Sequence, residues 1–204
     1  TEFHKYSRSR GNLSSDAVNA FSESVDGSLW VGTDNGLNRL RPGSTEFEWI
    51  NVSTAPAISD PRVMSLYSEQ NTLWIGTYDG GLNKVDLITG DTTTYRMDTS
   101  GGPGIGANGI TSILRLSTGE LLIGTYGGGL SIYKDESNDF LNLTNDPNDS
   151  TTLSNNRVLA IFEDSLGFVW IGTEMGLNRY HQESRTFQRY FSERNESNSF
   201  SSDI

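Results

Sequence analysis

Cysteine is absent from the 204 residues, which excludes disulfides, thiolate nucleophiles and cysteine-based zinc sites while leaving the compartment open. Positive charge is scarce: 15 Lys and Arg stand against 26 Asp and Glu, a formal net charge of −11. A surface of that sign repels phosphate backbones and anionic lipid, so neither nucleic acid nor a polybasic membrane contact is expected. No run approaches the ~20 apolar residues needed to span a bilayer, and no signal-peptide pattern opens the chain. The expectation is a segment of a longer protein, tied to a membrane only through a spanning segment outside this sequence. Sustained 3.6-residue periodicity is also missing, so no long helix is expected. Glycine, by contrast, is plentiful at 22 residues, and the apolar residues fall in short clusters, as in many short strands joined by tight turns.

Self-similarity organises those clusters. Trp30-Val31-Gly32-Thr33 recurs as Trp74-Ile75-Gly76-Thr77, Leu122-Ile123-Gly124-Thr125 and Trp170-Ile171-Gly172-Thr173, at intervals of 44, 48 and 48 residues. Each copy is followed by a Gly-Leu step and preceded by a short apolar run: Val18–Phe21, Val63–Tyr67, Ile110–Leu114 and Val158–Phe162. An aromatic stretch closes each unit. The pattern predicts four strands per unit, a to d, with Trp-Ile-Gly-Thr as strand b. Asn35-Gly36, Asp79-Gly80 and Gly127-Gly128 predict type I′ turns between b and c, and Glu174-Met175 departs from that pattern.

Strand b has apolar residues on both sides of its glycine, as expected of a strand between two neighbouring sheets. A glycine there marks close approach, and the tryptophan of the adjacent unit is the expected visitor. A meander of this length cannot bury both faces alone, so the units must stack. The predicted fold is all-β: about four β-propeller blades of four-stranded antiparallel meanders, over residues 13–52, 58–96, 105–143 and 153–191. Thr1–Tyr6 resembles a strand d, the last strand of a preceding blade, and 199–204 resembles the start of a following one. A fragment of a larger propeller is therefore expected, with Phe3–Tyr6 as a capping edge strand the alternative. The raw end faces should self-associate or be covered by further blades.

Segment 153–190, with Leu-Ser-Asn-Asn-Arg-Val, Val-Trp-Ile-Gly-Thr, Gly-Leu-Asn-Arg-Tyr and Thr-Phe-Gln-Arg-Tyr, resembles the two-component regulator propeller repeat. Units one and two resemble it well, and unit three has Leu122 for its tryptophan. The resemblance implies a periplasmic, ligand-binding sensor module of a membrane histidine kinase or diguanylate cyclase. It implies no catalysis by this segment, and a small molecule or oligosaccharide as ligand. Competing readings are a protein-interaction propeller and a glycosidase or quinoprotein-type enzyme; Gly81–Asp86 bears a single faint likeness to quinoprotein repeats.

Other chemistry is weaker. Gly104-Ile105-Gly106-Ala107-Asn108-Gly109 satisfies a dinucleotide motif in letters, but a strand, not a helix, is expected after it. Asp146, Asn148 and Ser150 alternate as a calcium loop begins, yet Arg157 stands where its distal glutamate belongs. His4 and His181 lack a second histidine at ligand spacing, so neither metal nor cofactor is expected. The candidate ligand positions lie where the d–a and b–c loops converge: Asp16, Arg62, Asn108 and Arg157 before strand a, and Asp34, Tyr78, Tyr126 and Met175 after strand b. Tyrosine and arginine suit stacking and forked hydrogen bonds to a polar ligand, and the arginines could equally anchor blades.

Overall fold

The computed structural model describes residues 3–53, 57–100 and 104–191. These hold sixteen strands in four antiparallel four-stranded sheets, each in simple meander order. Blade 1 is β1 (Val18–Glu23), β2 (Leu29–Thr33), β3 (Gly36–Leu40) and β4 (Phe47–Ile50). Blade 2 is β5 (Val63–Glu69), β6 (Thr72–Thr77), β7 (Leu82–Asp86) and β8 (Thr92–Tyr95). Blade 3 is β9 (Ile110–Arg115), β10 (Leu121–Thr125), β11 (Leu130–Lys134) and β12 (Asp139–Leu143). Blade 4 is β13 (Val158–Glu163), β14 (Val169–Thr173), β15 (Gly176–His181) and β16 (Thr186–Tyr190). Two compact units divide the chain, Thr1–Arg96 with blades 1 and 2 and Met97–Ile204 with blades 3 and 4.

Within each unit the core lies between the two blades. In the first unit Trp30 is buried with Leu66, Leu73 and Val85 of blade 2. In the second Leu122 takes the same place, fully buried with Val169, Tyr180 and Phe187 of blade 4. The ring and the aliphatic chain bring different neighbours. Trp30 carries the Arg39 guanidinium over its face at 4.9 Å, and Trp74 carries the Lys84 ammonium at 5.1 Å. Leu122 instead lies in register with Leu114 and Ile132, an all-aliphatic row. Trp170 is only half-buried and donates its indole N–H to Asp164.

The strand-b glycine admits a valine, not the expected tryptophan. A Cβ at Gly32 would sit 2.5 Å from a γ-methyl of Val63, and one at Gly124 would sit 2.6 Å from a γ-methyl of Val158. Both valines open strand a of the next blade. The tryptophan packs two residues away on the same face, because side chains alternate along a strand.

The b–c connections are not type I′ turns. Positive φ falls on Gly36, Gly81, Gly129 and Gly176, the first residue of each Gly-Leu step, and not on Asn35 or Asp79. A Cβ at these glycines would meet the carbonyl oxygen of Ile50, Tyr95, Leu143 or Tyr190 on strand d. The strand-b threonine closes each turn by donating its hydroxyl to that glycine's carbonyl, from Thr33 at 2.9 Å, Thr77 and Thr125 at 2.8 Å, and Thr173 at 3.0 Å. Glu174-Met175 is therefore no departure, since Met175 N–H donates to Thr173 Oγ1 as Asn35 N–H does to Thr33.

Phe3–Tyr6 forms no strand. A strand d takes its ladder from a strand c, and none lies beside this segment among the described residues. Tyr6 instead packs edge-on against Phe47 at 5.3 Å, ahead of a 3-10 turn at Arg8–Arg10. Residues 199–204, expected to begin another blade, lie outside the described residues.

Candidate functional site

Each blade brings the residue before strand a to the residue after strand b through one backbone bond. Asp34 N–H donates to Ala17 O, Tyr78 to Arg62, Tyr126 to Gly109 and Glu174 to Arg157, at 2.8–3.2 Å. This register juxtaposes Arg62 with Tyr78 and Arg157 with Glu174. It leaves Asp16 and Asn108 one residue out, and neither joins a cluster. Asp16 accepts the Arg8 N–H and Asn108 accepts the Met97 N–H, both at loop ends.

In the first unit the Arg62 guanidinium lies 3.9 Å over the ring of Tyr78 and reaches Asp60 at 3.4 Å. Tyr78 is 54% exposed. Next to it in register, Asn19 of strand a donates to Asp34 Oδ1 at 2.8 Å and to Val63 O at 3.0 Å.

The second unit builds the fuller site. Arg157 donates to Glu174 Oε2 at 2.8 Å, and the Tyr126 hydroxyl donates to Glu174 Oε1 at 2.9 Å. Arg157 also stands 5.0 Å over the Tyr126 ring, which is 49% exposed. The Arg157 bond, followed by the Tyr126 bond, holds the Glu174 carboxyl below its ordinary range. A depressed pKa contributes stability above the ordinary glutamate value of ~4.3, lost as pH falls through the lower folded value. Arg157→Ala is expected to move the Glu174 titration upward, readable by carboxyl NMR; an unmoved titration would contradict the ion pair. The cluster presents a tyrosine face, a guanidinium edge and a carboxylate at one open end of the blades. It can stack on a flat ligand and exchange hydrogen bonds with hydroxyls or carboxylates.

Glu174 was missed by sequence reasoning, which placed Met175 there. The signal was present, since Glu174 follows Thr173 as Tyr126 follows Thr125. The other motifs resolve into architecture. Gly106 and Gly128 pack backbone to backbone, a Cβ on either falling 2.4 Å or less from the other strand of chain, and β9 follows instead of a helix. The loop after β12 closes around Arg189. Its guanidinium donates to the carbonyls of Asp146, Asp149, Thr152 and Leu153 at 2.7–3.2 Å. Asn83 of the quinoprotein-like stretch is buried and bonds to Ser59 and Ile75 O. Among the described residues no three His, Cys, Asp or Glu side chains gather as a metal site.

The model of the two component regulator propeller matches residues 12–35 and 152–175. Blades 1 and 4 carry that repeat. Both matches run from the d–a loop through strand b, so Asp16, Asp34, Arg157, Glu174 and Met175 lie within the matched stretches, whereas Arg62, Tyr78, Asn108 and Tyr126 lie outside them. No curated protein matches the chain. Among solved structures, the extracellular domain of a protein described as a hybrid two component system of B. thetaiotaomicron superposes at TM-score 0.78 with 20% identity, over 92% of this chain and 26% of that one. The extracellular domain described as a one component system of the same organism gives 0.66 and 22%, over 96% and 32%. Virginiamycin B lyase of Staphylococcus aureus gives 0.62 and 14%, over 88% and 57%. At these identities the likeness is one of fold, and the chain spans about a quarter to a third of the first two.

Proposed function

We propose that the chain is part of an extracytoplasmic, periplasmic sensor module that binds a small polar ligand and passes its occupancy to an output domain elsewhere in a membrane signalling protein. A histidine kinase or diguanylate cyclase is the output the repeat suggests. The observation that carries the reading is the regulator propeller repeat in blades 1 and 4 together with the cluster in which Arg157 and Glu174 of blade 4 meet Tyr126 of blade 3. An exposed aromatic ring beside a forked cation and a carboxylate matches what sugar hydroxyls need: a stacking face, donors and an acceptor. The segment itself is read as non-catalytic. The lyase shares only the fold, and fold does not carry chemistry.

The test is thermal unfolding of the purified chain with a panel of neutral and acidic oligosaccharides. A binder should raise the midpoint with concentration, because a ligand held only by the folded state stabilises it. Tyr126→Ala and Arg157→Ala should each abolish the rise while leaving the ligand-free midpoint within a few degrees. A panel without effect, or effects indifferent to both substitutions, would sink this reading. Enzymatic loss of the sugar would favour a propeller enzyme.

A further inference from the structure

We propose that Arg189, on strand d of blade 4, is a positioning residue for the ligand cluster: it locks the loop 144–157 into the shape that presents Arg157 to Tyr126 and Glu174. This role rests on reading that cluster as the ligand site. A loop of this length between β12 and β13 leaves many backbone carbonyls without a strand partner. Arg189 gathers those of Asp146, Asp149, Thr152 and Leu153 at 2.7–3.2 Å, and the Thr152 hydroxyl at 2.7 Å. Two residues earlier in β16, the Phe187 N–H donates to Thr151 O at 2.7 Å. Asn145 closes the neck, its N–H donating to Asn156 Oδ1 and its side-chain amide to Leu153 O, both at 2.6 Å. The Asn156 carbonyl in turn accepts the N–H groups of Gly127 and Gly129 at 3.0 and 2.9 Å, in the b–c loop of blade 3. Asn156 directly precedes Arg157, and Gly127 directly follows Tyr126. The end of the loop therefore sets the arginine beside the tyrosine, where the two form an isolated β-bridge.

A blade of this kind does not itself require an arginine at this place. Arg189 stands opposite Asn178 in register, the position held by Trp49, Thr94 and Asn142 in blades 1 to 3. Those three make lighter contacts. Trp49 donates to Asn35 O, Thr94 to Asn83 Oδ1, and Asn142 to the carbonyl of Gly104. Blade 4, whose loop residue Arg157 completes a cation, carboxylate and tyrosine cluster, is the blade whose strand d grips its loop at four carbonyls. A guanidinium suits this task because its flat fork of donors fixes several acceptors at once, which a flexible ammonium does not. Holding Arg157 in place beforehand spares a ligand the cost of ordering the loop when it binds.

Carboxyl NMR of Glu174 tests this without any ligand, so its failure is separate from a failure of the oligosaccharide panel. Arg189→Met keeps the aliphatic stem and removes every donor. Its Glu174 titration should move upward, toward that of Arg157→Ala, because Arg157 leaves the carboxylate for part of the time. Asn156→Ala frees the neck of the loop and should move the titration the same way, which decides the matter even where Arg189→Met folds poorly. Arg189→Lys should restore part of the shift. For a panel sugar whose binding Arg157→Ala abolishes, Arg189→Met should bind about tenfold more weakly, as follows when the competent loop shape falls to about a tenth of the population. A lowered unfolding midpoint with the Glu174 titration unmoved in both variants would make Arg189 a residue of the blade alone and overturn the proposal. Unchanged affinity for such a sugar would overturn it as well.

Discussion

Valine at Gly32 or Gly124 is expected to destabilise the protein sharply, while the same change at Gly172 leaves it as stable or more so. All three glycines hold one repeat position. At the first two a new Cβ would fall 2.5 or 2.6 Å from a γ-methyl of Val63 or Val158, both fully buried in the next blade's first strand. Overpacking of a filled core costs ~1–3 kcal/mol for small insertions, and three added carbons fall at the upper end or beyond. With ~2–4 °C lost per kcal/mol at this size, the midpoint should drop by on the order of 10 °C. At Gly172 none of the described residues lies within 4 Å of a new Cβ, and replacing a glycine inside a strand recovers about 0.5–1 kcal/mol of backbone entropy. Thermal unfolding of the three variants decides it. Equal losses at all three would mean that the repeat glycine serves strand b itself and not the seat of the neighbouring blade.

The second large effect is expected at Asn38 and Asn178. Each is the asparagine of a Gly-Leu-Asn step, and Asn38 has no exposed surface. Its carbonyl oxygen accepts the Ser14 N–H at 2.9 Å, and its amide donates to Ser14 Oγ at 2.9 Å and Val31 O at 3.2 Å. Asn178 repeats this with Ser154 and Ile171 O. These side chains tie the d–a loop, which carries the candidate ligand positions, to strands b and c. Alanine would strand a buried donor and a buried acceptor at ~1–3 kcal/mol each, so a loss of about 2–6 kcal/mol is expected in urea unfolding. Breaking the exposed Arg41–Glu48 pair should cost no more than ~1 kcal/mol. If the asparagine and the surface pair cost the same, the loop is held by something else.

The blades were legible in the sequence because a single position class repeats four times, and the Trp-Ile-Gly-Thr register carries its strand pairing with it. What occupies the glycine was not legible. The valine that opens strand a and the tryptophan of strand b are both features of the repeat, and only the stagger between neighbouring blades decides which one inserts. Phe3–Tyr6 reads as a strand because its residues suit one, yet a strand exists only beside another, and sequence likeness supplies no partner. The turn chemistry misled for a similar reason. Asn35-Gly36 suits a type I′ turn in isolation, but the Thr33 hydroxyl and the strand-d carbonyl over Gly36 impose another. At the candidate site the arginines and tyrosines were found by their alignment. Glu174, which joins Arg157 to Tyr126, was lost to an offset of one residue that the backbone bond from Glu174 to Arg157 makes plain. The apparent calcium loop hid Arg189, a cation held in strand d some forty residues away in sequence.

Amide chemical-shift mapping is the most direct measurement of the ligand-sensing role. A sugar that raises the unfolding midpoint should shift the amides of Tyr126, Arg157, Glu174 and Met175, or those of Arg62 and Tyr78, and be recovered unaltered afterwards. Shifts confined to the outer strands c and d, with the loops of these residues silent, would contradict a sensor face at this end of the blades.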